Sequence, residues 1–483
     1  MHQRSLLAVL AILAAAPVAA QDPKQAVADH VMAHATEYEQ IAMQIWDLAE
    51  VGYMEHESSG LLQNRLAAAG FTVTAGLADI PTAFVASYGS GEPVIAILAE
   101  FDALPGITQD RTPERNPIDS KPAGHACGHH LFGTGSTAAA LAVRDWMESS
   151  GQSGTIRLYG TPAEEGGGGK IYLARGGFFD DVDVVLHWHA GDANSADPTS
   201  SLANISAKFR FRGISAHAAG APERGRSALD GVEAMNQMVN MMREHVPQAT
   251  RIHYVTTYGG AAPNVVPDFA EVYYYVRHPE ADQVRELFDR VIEAAAGAAL
   301  GTETQMEYEV INGVYNLLPN VTLAEIIHAN LTAVGGVEYT EDEMRFARVV
   351  RQSLPEDARP LESAAQVKPF ELLLGARSGG GSTDVGDVSW NVPTAGLRTA
   401  TWVPGTSSHS WQAVAAGGTS IGTKGMLVAA KTIARSAVDL FQQPDLIRRA
   451  RAEFEERRGA DYSYISLVGD RPPPLDYRSN PGG

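Results

Sequence analysis

Cysteine is almost absent, with Cys127 alone among 483 residues. A disulfide-stapled fold is excluded, since such a scaffold needs several half-cystines. Basic residues are also scarce: 37 Lys and Arg stand against 57 Asp and Glu, a formal charge of −20. Nucleic acid is not an expected partner, because phosphate binding needs a positive footprint that this composition lacks. The acid excess reads as a solubilising surface. Beyond the N-terminus no apolar run is long enough to span a membrane. With 45% hydrophobic and 19% charged residues, and a length suited to two or three domains, the chain can bury sizeable cores.

The first twenty residues are of another kind. Arg4 precedes an apolar run from Leu6 to Ala16, and Val18-Ala19-Ala20 offers a small-residue cleavage site before Gln21. This is the pattern of a secretory signal, residues 1–20, cleaved after Ala20, and it predicts export to a bacterial periplasm. No cysteine follows the cleavage point, so lipid anchoring there is excluded. A lone thiol in an oxidising compartment is a liability unless it is buried or ligated.

Periodicity predicts helices over Lys24–Ala49, Ser58–Ala69 and Leu131–Ser149, with strands at Phe71–Thr74, Ala83–Tyr88, Pro93–Ala99, Thr155–Gly160 and Val182–Trp188. Alternating strands and helices argue for an open α/β sheet. The middle of the chain changes character. A strand over Ser201–Gly213, a helix over Ser227–Val246, strands over Arg251–Tyr258 and Phe269–Val276, a helix over Ala281–Leu300 and a strand over Glu303–Ile311 follow in turn. The order β-α-β-β-α-β is a complete α+β unit of ferredoxin-like type. After Asn312 the α/β pattern resumes, with helices near Val321–Val334 and Lys424–Phe441. A catalytic domain of residues 21–200 and 313–483 therefore carries an insert of residues 201–312, and Arg471–Gly483 is expected to be a loose tail.

Potential ligands collect where the strands end. Asp102 follows the strand ending at Ala99, Glu164 and Glu165 follow Gly160, and His187 and His189 lie at or past the end of the strand that starts at Val182. Open α/β sheets bind ligands outside the carboxyl ends of their strands. Cys127-Gly128-His129 lies in a loop before a helix, where glycine permits a tight turn that aims thiolate and imidazole at one ion. Glu164 and Glu165 point opposite ways in extended chain, so one can hold a metal while the other takes a proton from water. Gly166 to Gly169 suit close backbone approach, and no Lys-Ser/Thr follows them as in a phosphate loop. Either His187 or His189 is a possible ligand, and His409 in Ser408-His409-Ser410-Trp411 is unremarkable alone.

His125-Ala126-Cys127-Gly128-His129, Pro162-Ala163-Glu164-Glu165-Gly166-Gly167-Gly168-Gly169 and the downstream histidines resemble the aminoacylase/carboxypeptidase family of di-metal amidohydrolases. Trp188-His189, Ser382-Thr383-Asp384-Val385-Gly386-Asp387 and His409-Ser410-Trp411-Gln412 are similar to its p-aminobenzoyl-glutamate hydrolase branch. The resemblance runs over nearly all of the mature chain. It implies a zinc-exopeptidase-like catalytic domain, a mixed sheet flanked by helices, with the insert serving as a lid and dimerisation domain. It further implies two divalent ions, Zn2+ or Mn2+, held by Cys127, His129, Glu165, His189 and His409, with Glu164 as general base. His217 would steady the oxyanion, and Asn264 and Arg277 would grip a substrate carboxylate. Such lid residues often reach the site of the other protomer, which implies a homodimer. The implied reaction is hydrolysis of the amide in an N-acyl or N-aroyl amino acid, or in a dipeptide by the same chemistry.

Two departures stand out. Ala99-Glu100-Phe101-Asp102 lacks the first histidine of the family's His-X-Asp pair, which leaves Asp102 a supporting role, and His130 stands where many relatives have an acid or amide. Two other classes share part of the pattern. A metal-dependent binding protein without turnover is opposed by the intact Glu164, and a cysteine hydrolase built on Cys127 by the spare ligands around it.

Overall fold

The structure, a computed structural model, describes residues 22–373 and 381–478. The leader expected at residues 1–20, part of the glycine-rich run at Ser378–Ser382 and the last five residues lie outside the described residues. No described helix is long and apolar enough to cross a membrane.

The larger domain is built on a six-stranded mixed sheet. Its order is Thr72–Ala75, Phe84–Ser90, Gly154–Gly160, Val94–Ala99, Val184–Gly191 and Thr394–Ala400. Phe84–Ser90 runs antiparallel to both neighbours, and the remaining pairings are parallel. Val94–Ala99 lies at the centre and every residue in it is buried, which is why it reads as an unbroken apolar run rather than an alternation. Helices His129–Ser150 and Ser420–Gln442 pack on each other and against this sheet.

Two expected boundaries move. The helix expected over Lys24–Ala49 is two, Pro23–Ala33 and Ala35–Leu48, because His34 leaves helical geometry and its Nδ1 bonds the His30 carbonyl at 3.0 Å. The helix expected from Leu131 begins at His129, directly after Gly128, whose left-handed φ of 78° no residue with a side chain adopts easily.

The insert is a four-stranded antiparallel sheet in the order Gln305–Val314, Ala203–Arg212, Phe269–His278 and Arg251–Tyr258. Helices Ala228–Met242 and Ala281–Thr302 cover it. Alternation along Ala203–Arg212 sends Phe209 and Phe211 into a core with Val232, Met235, Val272, Val284 and Leu287. The strand Arg251–Tyr258 forms the free edge, and all of it except Ile252 is exposed.

The C-terminal segment corrects an expectation. Its Pro, Gly and Arg content reads as a loose tail, yet through Arg478 it is tied down. Arg471 donates to the carbonyls of Val310 and Ile311, and Tyr477 and Arg478 both donate to the Glu165 carbonyl. Composition registers the turn-formers but not the partners that tertiary packing supplies.

The Phe211 ring lies so close to Gly231 that a Cβ there would meet it at 2.5 Å. Phe211→Ala is therefore expected to destabilise the insert by about 3–5 kcal/mol, read as an earlier transition in denaturant titration.

Candidate metal centre

Parallel neighbours bring their carboxyl ends to one edge, and Ala99 pairs with Gly160 there. The chain leaving Ala99 carries Glu100 and Asp102, the chain leaving Gly160 carries Glu164 and Glu165, and Val184–Gly191 carries His189. Cys127 and His129 arrive from the opposite direction, at the start of their helix. A Cβ on Gly128 would come within 2.4 Å of the Ala190 Cβ, so glycine lets this turn lie flat against the strand bearing His189.

Donor atoms of Cys127, His129 and His189 lie within 4.8 Å of one another, and so do those of Cys127, Glu165 and His409. Cys127 belongs to both groups. Its Sγ is 3.4 Å from His189 Nε2, and His409 Nε2 is 3.1 Å from Glu165 Oε1. Asp102 organises the floor. Its Oδ1 is 2.9 Å from His129 Nδ1 and its Oδ2 accepts the Glu165 N–H at 2.9 Å. One carboxylate thus fixes the ring of one donor residue and the backbone of another. His189 is oriented similarly, its Nδ1 donating to the Ala190 carbonyl at 2.7 Å. In both histidines Nε2 is left for the cluster.

The loop bearing the glutamates is bent tightly. Ala163 has φ 58°, a conformation costing a non-glycine residue about 1 kcal/mol or more, and Gly166 and Gly168 are also left-handed. Gly169 passes so near Pro162 that a Cβ would lie 2.2 Å from its carbonyl oxygen. Glu164, half-buried, joins Glu100 and His129 in a third group of donors within 4.8 Å. Desolvation, with Glu100 and Glu165 as like-charged neighbours, holds its carboxyl well above the usual range. Burial likewise raises the Cys127 thiol.

Glu100 was hidden at the sequence level. It is buried with Oε2 3.1 Å from His129 Nε2 and Oε1 2.6 Å from Lys170 Nζ, and Lys170 is held in turn by Asp384 at 2.8 Å. The one available signal was an acidic residue at a central strand's end. His187 is not in the described donor groups. It is half-buried against Gly396, and desolvation drives its pKa down to about 3. His130 is also apart from them, its Nε2 donating to the Gly417 carbonyl and its ring beside His125.

The lid residues lie elsewhere. His217 is exposed, and its Nδ1 accepts the N–H groups of Ala219 and Gly220. Exposed Asn264 sits on the neighbouring loop, with its carbonyl bonded to Ala218. Arg277, on the strand Phe269–His278, lies over the Tyr275 ring with its buried Nε unpartnered. His217 belongs to no described metal-donor group within its own chain.

The donor set fits divalent metal ions. Buried His129 Nε2 and Glu165 Oε1 make no well-formed hydrogen bond and face only Glu100 and His409, each at 3.1 Å; thiolate, imidazole and carboxylate together suit ions such as zinc. Converging donors beside a spare carboxylate equip the site for metal-assisted hydrolysis.

The model for the peptidase dimerisation domain matches residues 201–303. A p-aminobenzoyl-glutamate hydrolase subunit from Escherichia coli (strain K12) is 41% identical over 453 residues, covering 89% of this chain and 94% of that protein. The Xaa-Arg dipeptidase of Mus musculus is 30% identical over 427 residues, covering 85% and 87%. A Bacillus subtilis protein described as a dinuclear metal binding peptidase from the M20 family superposes with a TM-score of 0.57 at 17% identity, covering 85% of this chain and 99% of that one. The chain belongs to the aminoacylase/carboxypeptidase family of amidohydrolases, in the p-aminobenzoyl-glutamate hydrolase branch.

Asp102→Ala frees both the His129 ring and the Glu165 backbone. Metal affinity, measured by chelator competition, is expected to fall about 10–100-fold.

Proposed function

We propose that this protein hydrolyses the amide bond joining an acyl or aroyl group to an amino acid, with p-aminobenzoyl-glutamate-like compounds as its substrates. The observation carrying this is the division of the two glutamates: Glu165 faces His409 and Cys127, while Glu164 stands beside Glu100 and His129. Cys127, His129 and His189 would hold one ion, and Cys127, Glu165 and His409 a second, Zn2+ or Mn2+. Ions held by these residues would supply a lowered water pKa and a polarised scissile carbonyl.

Glu164 takes a proton from the attacking water and delivers it to the departing amine nitrogen, so one carboxylate serves as base and then as acid. His217 accepts at Nδ1, which places its proton on Nε2 as a donor for the developing oxyanion. Asn264 and the Arg277 fork grip the carboxylate of the released amino acid. The match of residues 201–303 to a peptidase dimerisation domain supports a homodimer in which each lid completes the site of the other protomer. The free edge strand supports the same assembly, since Tyr254, Val255 and Tyr258 are exposed along it. The leader at residues 1–20 supports export to the periplasm.

A dipeptidase reading has one point in its favour, the similarity to an Xaa-Arg dipeptidase. A panel holding p-aminobenzoyl-glutamate, other N-acyl amino acids and dipeptides, assayed with and without chelator, separates the readings. The expected result is chelator-sensitive release of p-aminobenzoate. Preference for a dipeptide would move the substrate, and no cleavage of any amide would favour a binding protein. Cysteine catalysis is disfavoured because burial and the nearby Glu165 and Glu164 oppose a thiolate unless a cation compensates.

Glu164→Gln is expected to lower kcat about 10²–10⁴-fold while metal content stays unchanged. Full activity in that variant would overturn the mechanism. Val255→Lys is expected to shift the protein towards monomer in sedimentation analysis and to abolish turnover. Mixing the inactive Glu164→Gln and His217→Ala proteins should restore activity, because one mixed site per dimer then keeps both groups.

A further inference from the structure

The loop carrying Glu164 and Glu165 contains a non-glycine residue in left-handed geometry, Ala163. Such conformations persist only where surrounding groups over-determine them. Glu55 accepts the Ala163 N–H at 2.8 Å, Asp102 accepts the Glu165 N–H at 2.9 Å, and the Tyr53 hydroxyl donates to the Gly167 carbonyl at 2.7 Å. That leaves the Glu165 carbonyl. Its donors come from the far end of the chain, the Tyr477 hydroxyl at 3.0 Å and Arg478 Nη2 at 2.5 Å. The Tyr477 ring meets Tyr53 edge-on at 5.6 Å, and its hydroxyl packs over Gly52 so closely that a Cβ there would lie 2.2 Å away.

The route to that carbonyl runs between the two domains. Beyond the helix Pro444–Arg458, Tyr464 donates to Asp387 at 2.6 Å. The next contacts are consecutive residues in different cores: Leu467 belongs to the core of the insert and Val468 to that of the catalytic domain. Arg471 then donates to Val310 and Ile311 on the insert's strand, while Arg175 of the catalytic domain donates to the carbonyls of Gly469 and Arg471 at 2.7 and 2.9 Å. The segment is thus held by both domains before it reaches Glu165.

We propose that residues 459–478 form a strap joining the lid to the catalytic domain, and that Tyr477 and Arg478 are positioning residues for the Glu164–Glu165 loop. They touch neither substrate nor reacting atoms in this scheme. By fixing the carbonyl of Glu165 they fix the directions in which the two carboxylates leave the backbone. Arg471 couples that geometry to the position of the lid. The proposal rests on Glu164 acting as base, and its test separates the two.

A chain ending at Asp476 keeps Leu467, Val468 and Arg471, so both cores and the insert's anchorage are preserved. It is compared with Tyr477→Phe, Arg478→Ala, Arg478→Lys and Glu164→Gln in the otherwise intact protein. Misplacing a reacting group costs up to about a hundredfold, so the truncated chain is expected to lose at least about tenfold in kcat with little change in KM. Its metal should exchange faster to a chelator, its thermal transition should stay in place, and Arg478→Lys should recover part of the loss. A kcat and a metal-exchange rate both within about twofold of the parent would overturn the positioning role. Retained activity in Glu164→Gln would instead remove the base assignment, and metal exchange would still judge the strap. Arg471→Ala is expected to speed amide hydrogen exchange across Gln305–Val314 and to lower kcat. Unchanged exchange and kcat would overturn the coupling to the lid.

Discussion

Negative charge is crowded into the end of the central sheet, and most of the site follows from how that charge is held. Glu100 and Glu164 place carboxylate oxygens within 4.8 Å of each other, and Glu165 and Asp102 are close by. Two full charges at such a distance repel by about 3–4 kcal/mol at an effective dielectric constant of about 20. The protein supplies part of the compensation itself. Lys170, wholly buried, pairs with Glu100 and Asp384, and His129 lies between Glu100 and Asp102. Burial alone would lower the His129 pKa, but Cys127, Asp102 and Glu100 outweigh it and raise it. The donors facing the cluster remain short of positive charge, which is the condition under which divalent ions bind firmly.

Backbone geometry converts that demand into a defined arrangement. Gly128 lets Cys127 and His129 lie against the strand carrying His189, and the bent loop through Ala163 and Gly166 presents adjacent glutamates to different neighbours. Asp102, Glu55, Tyr53, Tyr477 and Arg478 hold this loop from separate parts of the chain. Precision at the reacting groups therefore depends on residues remote in sequence from the motif. The insert contributes differently, offering an exposed edge strand and an exposed His217 that belong to no described donor group of their own chain.

Much of this is legible in the sequence. Regular periodicity in the stripe Leu229, Val232, Met235, Met238 or Val239, and Met242 predicts the first helix of the insert; Val239 rather than the exposed Met238 enters its core, and the others pack in or against it. Motifs single out Cys127, His129, Glu165, His189 and His409, and the fold brings them together. Less legible are elements whose local sequence is weak. Thr394–Ala400 has few β-branched or aromatic residues and is a strand because it completes the sheet beside Val184–Gly191. The helix Glu341–Arg351 is different: it carries clear local signals, an amphipathic pattern and a capping box at Thr340 and Glu343, and is readable from the sequence although it is not among the expected helices.

The sequence by itself determined the chemistry available: a single thiol, paired glutamates, histidines at strand ends, and two periodicities marking two kinds of domain. Local spacing carries that information because helices and strands repeat over a few residues. Tertiary structure decided which of these groups meet. It drew His189 rather than His187 into the cluster, turned His130 to a backbone carbonyl, and gave Glu100 a lysine seventy positions further on. It also made an apparently loose terminus into an anchor for Glu165. Those outcomes depend on contacts between residues far apart in the chain, and no local pattern encodes the distance between them.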